Sequence, residues 1–600
     1  MMFRSAAERY NGSILQREGL SVSLFINDSC IGCTFCQNEC PVQAISFDGD
    51  KYRIDPERCI GCGTCSEVCL MDAVEDTEHP RSVPASHGPE KRSCDLCVVG
   101  GGAAGLIAAA RYAEATGGKV IVLEKNRKPG GGGYFAVGLT PSNTAWEKDA
   151  GLPDAVEENV RRAMERTGGC LDEDLVRNLF HSLGGVFDWL CSWAPVEECF
   201  QLVPNPWGQL GVTTKSERYG SGRFITTHIL PYLKRLGAEI LTETEATALL
   251  RDPSGAVTGV LARDPGGEIE IRCAETLLCT GSLIRSERIR QLVPEFAGAK
   301  VKRYAHDMPG LTGDALTMAE QAGISLDTDS IVMAFVGCMP VAFQQTAFQT
   351  GERADAIRVN LNGERWINEK ADGKAMAEQL LHQPRAVSYT VLDRSILESS
   401  EPTLPPPPGA PAGPPGGFPY PGGVPDFAVQ RGEKMPSTAK AFRALAGEMD
   451  HRTVLCGDTL EELAGEMGVD PAALAGTVAR YNALCESGED ADFGKPAAFL
   501  RPLTDGPFIA IRNYLYLDGV FGGLDVNADM QVVSQGVPVP GLYAAGDITC
   551  GRYINDRLHK TEIVNDYSWA VAGGFMAANH MIEKSMQKKS ESDTRSERKI

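Results

Sequence analysis

Residues 96–124 read LCVVGGGAAGLIAAARYAEATGGKVIVLE. A short apolar run, Leu96 to Val99, enters Gly100-Gly101-Gly102-Ala103-Ala104-Gly105. An alanine-rich stretch from Leu106 to Ala115 follows, and then a second apolar run, Val120 to Leu123, that ends on Glu124. Strand, glycine turn, helix, strand and acid in this order predict a dinucleotide-binding βαβ unit. Gly100 predicts the tight turn, Gly102 the point where backbone approaches a pyrophosphate, and Gly105 the close helix–strand contact. The helix N-terminus favours phosphate. Glu124, nineteen residues past Gly105, is placed to accept ribose hydroxyls.

Upstream lie eight cysteines in two copies of one spacing. Cys30, Cys33, Cys36 and Cys40 form C-x2-C-x2-C-x3-C followed by Pro41, and Cys59, Cys62, Cys65 and Cys69 repeat it with Leu70 in the proline's place. This is the ligand pattern of a bacterial-type two-cluster 4Fe–4S ferredoxin, in which the fourth cysteine of each quartet reaches the other cluster. Cys30, Cys33, Cys36 and Cys69 are therefore expected on one cluster, and Cys59, Cys62, Cys65 and Cys40 on the other. A zinc site closes with four ligands and would not need two matched quartets in tandem. Cys94 and Cys97 repeat the C-x2-C spacing around the first dinucleotide-binding strand. They read as buried strand thiols in preference to a redox pair.

The 600 residues exceed one core, so several domains are expected. A net charge of −21 argues against nucleic acid and anionic membrane surfaces. Residues 1–20 lack the apolar core of a signal peptide, and no run of about eighteen apolar residues predicts membrane insertion. Nineteen cysteines without an export signal fit a reducing cytoplasm and an anaerobic setting. A hairpin is expected over 248–264 around Asp252-Pro253-Ser254-Gly255, and another apolar strand over 276–281. Residues 401–425 are a Pro/Gly-rich extended segment, and 458–482 a helix pair broken at Gly468-Val469-Asp470-Pro471.

Several further segments resemble the flavoprotein subunits of the fumarate reductase and succinate dehydrogenase superfamily. They are Glu124-Lys125, Pro129 to Gly133, Leu278-Cys279-Thr280-Gly281, Gly313-Asp314, Gly363 to Glu369, Asp492-Phe493-Gly494 and Pro540 to Asp547. The resemblance implies an α/β multidomain chain: a Rossmann-like FAD domain interrupted by an α+β capping domain, behind an N-terminal ferredoxin-like module. The expected divisions are 1–75 (two-cluster module), 76–93 (linker), 94–340 and 501–584 (FAD domain), 341–500 (cap) and 585–600 (disordered tail). It further implies that Ala104 and Gly105 meet the pyrophosphate, Glu124 the adenosine ribose, and Gly131, Gly132 and Gly133 the isoalloxazine region. Asp314 and Asp547 would hold ribityl or phosphate-side groups, and Glu562-Ile563 the pyrimidine edge. Ala103, Lys125, Ala246, Gly281 and Gly546 complete the expected contacts. No histidine lies in the 130s, so the FAD is expected to be non-covalent.

The departures from the family pattern bear on the substrate. Gly373 stands where fumarate-reducing members carry a proton-donating arginine. Gly519-Val520-Phe521 lacks the substrate histidine before Gly522-Gly523, and Val336 to Pro340 lacks another. Arg557, in Asn555-Asp556-Arg557-Leu558, matches the family's carboxylate clamp, with His559 and Lys560 in place of two glycines. This disfavours fumarate itself. Arg557 can stabilise charge on an electron-withdrawing group, and Lys374, Tyr516, Tyr553 and His559 are candidate proton donors. Arg365 joins the catalytic candidates, with a salt bridge as an equal account. The favoured function is reduction of an activated C=C bond in a small unsaturated substrate, with electrons from ferredoxin or another low-potential donor passing through two 4Fe–4S clusters to FAD. The alternatives are a desaturating dehydrogenase of ketosteroid type, an adenylylsulfate-reductase-like enzyme, and a non-catalytic electron-transfer subunit. A homo-oligomer stays open.

Overall fold

The structure, a computed structural model, describes residues 24–30, 35–47, 51–77, 86–136, 138–149, 151–204, 210–214, 220–289, 302–303, 308–337, 353–371, 373–399, 454–550 and 564–597. The Pro/Gly-rich stretch 401–425 lies outside them.

The N-terminal module repeats itself in three dimensions as it does in sequence. Strand Leu24–Ile26 pairs antiparallel with Val74–Asp76, and Ile45–Phe47 with Tyr52–Ile54. The short helices Phe35–Asn38 and Thr64–Val68 each carry the third cysteine of a quartet, Cys36 and Cys65.

The domain expected to bind FAD is built on a parallel core. Across it run Glu239–Leu241, Val120–Leu123, Glu90–Val99, Gly267–Leu278 and Val537–Ala544, all neighbours parallel. Val257–Asp264 and Glu245–Arg251 extend it antiparallel from the first half of Gly267–Leu278. The first strand begins at Glu90, so the linker expected to reach residue 93 ends earlier. Residues 90–95 alternate between half-buried and exposed, whereas 96–99 are buried throughout. Only the second half carries the apolar run that identifies a buried parallel strand. Polar Glu90 to Ser93 are nevertheless paired with Ile269 to Arg272, and Arg92 bridges to Glu90 and Glu239.

Cys94 and Cys97 face Cys273 and Thr276 in register, and Cys273 Sγ lies 3.2 Å from Thr276 Oγ1. Cys97 is fully buried and Cys94 partly so, in line with strand thiols that pack.

Helix Ala103–Thr116 lies under helix Asp566–Glu597. A Cβ at Gly574 would stand 2.2 Å from the Ala104 carbonyl oxygen, so glycine sets how closely these helices meet. The long helix passes the expected disordered tail at 585. Lys584 and Lys588 reach back to the buried Glu275, with Nζ–Oε1 distances of 2.9 and 3.7 Å, and tie that segment to the sheet.

The cap has its own core. Strands Ile357–Asn360, Val387–Asp393 and Val454–Gly457 are backed by helices Leu460–Met467 and Pro471–Ser487. Thr459 and Asp470 cap the two helices, and Gly468 (φ 69°) ends the first. The sixteen-residue strand Phe508–Gly523 belongs to both domains. Phe508–Tyr514 pairs with Val387–Asp393 of the cap, and Leu515–Gly523 with Asp327–Gly337. The cap therefore ends inside this strand, near Tyr514, beyond the boundary expected at 500. No Gly or Pro falls between Phe508 and Leu517, so the sequence carries no strong breaker at the crossing.

Candidate flavin and cluster sites

The glycine turn is dictated by its neighbours. Gly100 has φ 109°, and a Cβ there would stand 2.1 Å from the Cys279 carbonyl oxygen; a Cβ at Gly105 would stand 2.1 Å from the Gly100 carbonyl oxygen. A Cβ at Gly102 would meet nothing within 4 Å. Two of the fingerprint glycines thus serve packing, while the third keeps an open approach to the helix. Gly102 heads helix Ala103–Thr116 with no side-chain cap and no acid in the first turn. Its first amides are left to an anion.

Around that opening stand the other expected contacts. Glu124 is buried, with Oε2 accepting from the Gly101 amide (3.0 Å) and Oε1 from the Asn126 amide (2.7 Å). Burial pushes its carboxyl above the usual range against the pull of those amides. Lys125 Nζ spans Glu245 (2.8 Å), Asp314 (3.0 Å) and Thr312 (2.8 Å), so it braces the start of helix Asp314–Gln321. Ala246 is buried one residue beyond Glu245.

The glycine run folds back on the turn: the Gly130 amide donates to the Gly101 carbonyl at 2.6 Å. A Cβ at Gly133 would lie 3.0 Å from the Ala103 Cβ, whereas one at Gly132 would meet open space. Gly281 (φ 72°) and Gly546 (φ 80°) turn the chain beyond two neighbouring strands. The Asp547 carbonyl accepts from the Gly522 amide at 2.8 Å. Thr280 Oγ1, between these turns, is buried without a hydrogen-bond partner, as a polar group awaiting a cofactor would be. The donor set fits a dinucleotide.

In the cluster module the Ala44 amide donates to Cys40 Sγ and the Ala73 amide to Cys69 Sγ, each at 3.2 Å. Matched amide–sulfur bonds in both quartets stabilise thiolates and fit the clusters. Cys36, Cys65 and Cys69 are buried, and Cys30, Cys40, Cys59 and Cys62 partly exposed. Cys33 lies outside the described residues.

The module sits against the flavin-side glycine segment. Arg127 Nη2 donates to the Ser66 carbonyl (2.7 Å) and pairs with Asp72 (3.2 Å). Lys128 Nζ donates to the carbonyls of Glu67 and Cys69, the latter at 2.9 Å. Burial, with Arg127 beside it, pulls the Lys128 ammonium down to about 8. Tyr134 and Met308 join the module's own apolar cluster with Cys36, Cys65, Cys69 and Met71.

A family model described as an FAD binding domain matches residues 95–555, and one described as a 4Fe-4S dicluster domain matches 29–73. The chain belongs to the FAD binding domain family. This flavoprotein carries FAD and two 4Fe–4S clusters and is a flavin-dependent oxidoreductase. It is 26% identical over 529 residues to the urocanate reductase of Eggerthella lenta, covering 85% of this chain and 78% of that one. It is also 26% identical over 471 residues to the vinyl phenol reductase of Lactiplantibacillus plantarum, covering 76% and 90%. Its fold is that of the open conformation of a flavocytochrome c3 fumarate reductase (TM-score 0.62, 23% identity, 82% and 79% covered).

The flavoprotein's candidate catalytic residues fare unevenly. Arg557, His559 and Tyr553 lie outside the described residues, as do the expected flavin contacts Glu562 and Ile563. Lys374 is placed by its backbone in helix Gly373–Leu381, and Tyr516 by its pairing with Lys302 and Val336. Arg365 is held in a buried ion-pair network. It makes two bidentate pairs, with Glu369 (2.9 and 2.8 Å) and Asp490 (3.0 and 2.8 Å), and lies 5.0 Å over both Tyr481 and Phe493. Four of its five N–H donors are consumed. The salt-bridge account of Arg365 is the one these contacts support. Arg127, Lys128 and Tyr134 were not singled out by sequence, and Thr280 only as part of the Leu278-Cys279-Thr280-Gly281 segment. Two cations just before a glycine run were the available signal for the joint.

Proposed function

We propose that this flavoprotein reduces an activated C=C bond of a small enoate- or enone-type substrate, fumarate not being the natural one, using electrons fed through its own clusters. The observation that carries the reading is the seating of the cluster module on the glycine segment of the FAD crevice, in a chain with one dinucleotide fingerprint. FAD, when bound, supplies hydride from its N5 to the carbon β to the electron-withdrawing group. The protein's part is to exclude water beneath the cap, to hold that group with Arg557, and to deliver a proton to the α carbon. Urocanate reductase, vinyl phenol reductase and an NADH:acrylate oxidoreductase of Vibrio harveyi among the relatives support the reaction class and its breadth of substrates.

A cytoplasmic setting and a low-potential protein donor such as ferredoxin complete the proposal. Among the described residues no helix is long and apolar enough to cross a membrane.

The test is anaerobic. The reduced protein is mixed with urocanate, acrylate, vinyl phenols, longer enoates, enones and fumarate while flavin absorbance is followed. Reoxidation by at least one of these, with the saturated product recovered, is expected. Reoxidation by a partner protein alone would replace the reductase with the electron-transfer reading. Arg557→Ala is expected to abolish turnover with FAD and iron contents intact, and unchanged turnover would remove Arg557 from the clamp. Acid precipitation is expected to leave all flavin in the supernatant. Flavin retained in the pellet would mean a covalent link.

A further inference from the structure

The joint between module and crevice is made by a few residues of one segment. Leaving strand Val120–Leu123, the chain passes Lys125 and Asn126, reaches Arg127 and Lys128, and enters Pro129-Gly130-Gly131. Gly130 is locked to the cofactor turn through the hydrogen bond its amide donates to the Gly101 carbonyl and its bridge to Gly102. From Lys128 to Gly131 is three residues, at most ~10 Å of extended chain. One short run therefore touches the cluster module at one end and the cofactor turn at the other.

On the module side, the receiving groups are the carbonyls of Ser66, Glu67 and Cys69 at the C-terminal end of helix Thr64–Val68. Such carbonyls are orphaned by the helix and carry its negative end, so two cations from another domain satisfy both needs. Charge-assisted bonds to backbone also fix position more firmly than contacts between long side chains. Cys69 is itself an expected cluster ligand.

Tyr134 fills the remaining space. Its side chain is buried in the module's apolar cluster, while a Cβ at Gly130 would lie 2.0 Å from its ring and one at Gly222 2.4 Å. Burial alone pushes its hydroxyl up to about 12. The ring is thus held between two glycines of the flavin side and packed against cluster-bearing chain.

We propose that Arg127, Lys128 and Tyr134 are positioning residues forming the internal electron port, with the Cys69 end of the module turned toward the flavin. The inference rests on the cluster-fed reading above. Each transfer oxidises a reduced cluster by one electron and reduces the flavin by one; two transfers, resupplied by the external low-potential protein donor, together with one proton taken up from solvent, store what leaves as hydride.

The test uses the full-length holoprotein as Lys128→Met, Lys128→Arg, Tyr134→Ala and Tyr134→Phe, each checked for iron and flavin content. Two quantities are read: hydrogen exchange of the amides from Ser66 to Asp72, and flavin bleaching after anaerobic mixing with a reduced bacterial two-cluster ferredoxin. In Lys128→Met, exchange is expected to rise about tenfold, the worth of one charge-assisted hydrogen bond. Flavin bleaching is expected to slow severalfold while cluster bleaching keeps its rate, and Lys128→Arg to restore both. Tyr134→Ala is expected to slow flavin bleaching and Tyr134→Phe to preserve it. Faster exchange with unchanged flavin bleaching would reduce the joint to a docking contact and overturn the port; no change in either quantity would overturn it as well. Alkene reoxidation of the flavin is scored separately, so a failed substrate panel leaves the port standing.

Discussion

Arg365→Ala is expected to destabilise the capping domain by about 3–5 kcal/mol, because it strands two buried carboxylates. Glu369 and Asp490 have fully buried side chains, and each loses a bidentate partner. Lys495 cannot take over both. Its ammonium, also fully buried, is shared among Glu369 (3.3 Å), the Ala356 carbonyl (2.7 Å) and the Tyr481 hydroxyl (2.9 Å). Arg365→Lys is expected to recover part of the loss, since an ammonium cannot make two forks. Denaturant unfolding of the holoprotein followed by tryptophan and flavin signals separately would show the cap melting first. A stability change below about 1 kcal/mol, the scale of an exposed ion pair, would deny the network its structural role.

The same network sets an acid limit. Burial by itself would raise the Asp490 carboxyl, but the Arg365 guanidinium and the Lys495 and Phe493 amides outweigh it and hold it at about 2, below the ordinary 3.8. A folded-state value below the unfolded one means stabilisation that is complete above about pH 4 and drains as pH falls toward 2. The wild-type cap should therefore lose stability over that interval, and Asp490→Asn should show a smaller slope there in denaturant titrations.

Gly100→Ala is expected to yield protein without FAD. A methyl group at that position would meet the Cys279 carbonyl at 2.1 Å in a backbone with φ 109°. Overpacking costs about 1–3 kcal/mol, and the left-handed backbone adds a similar ~1–3 kcal/mol. The shift falls on the strand end that shapes the crevice. Gly102→Ala separates stability from binding, because its methyl would enter open space. Its fold should survive within about 1 kcal/mol, with flavin content falling because the methyl occupies the pyrophosphate's approach. Flavin-to-protein ratios and thermal melts of the two variants distinguish these outcomes; normal FAD content in Gly102→Ala would remove that glycine from the phosphate site.

What could be read from sequence follows from how local each signal is. The cysteine quartets and the 96–124 fingerprint are complete within short windows, because cluster loops and a phosphate turn are built by consecutive residues. The helix pair around Gly468 was equally legible, since caps and breakers act on their own neighbours. Arg365 and Glu369 stood out as a motif, but the partners that decide their role, Asp490 and Lys495, lie more than a hundred residues on. Polar Glu90 to Ser93 concealed half a strand, because the pairing that holds it comes from Ile269 to Arg272. Arg127 and Lys128 resembled ordinary surface charge, since their main partners are carbonyl oxygens, which every residue type possesses. Of the candidate site, the glycines and cysteines were legible by spacing, while the joint between the cofactors was a matter of tertiary contact.

That joint has an evolutionary consequence. Among the described residues, and apart from Asp72, the module's hydrogen-bond partners for the docking cations are backbone oxygens at a helix end whose position is set by the cysteine spacing. Its surface side chains are then free to drift, and a different donor could be accommodated on its outer face without retuning the inner one. The fused module behaves as an exchangeable adaptor, and the compatibility rule for grafting another is written in the receiving domain's two cations.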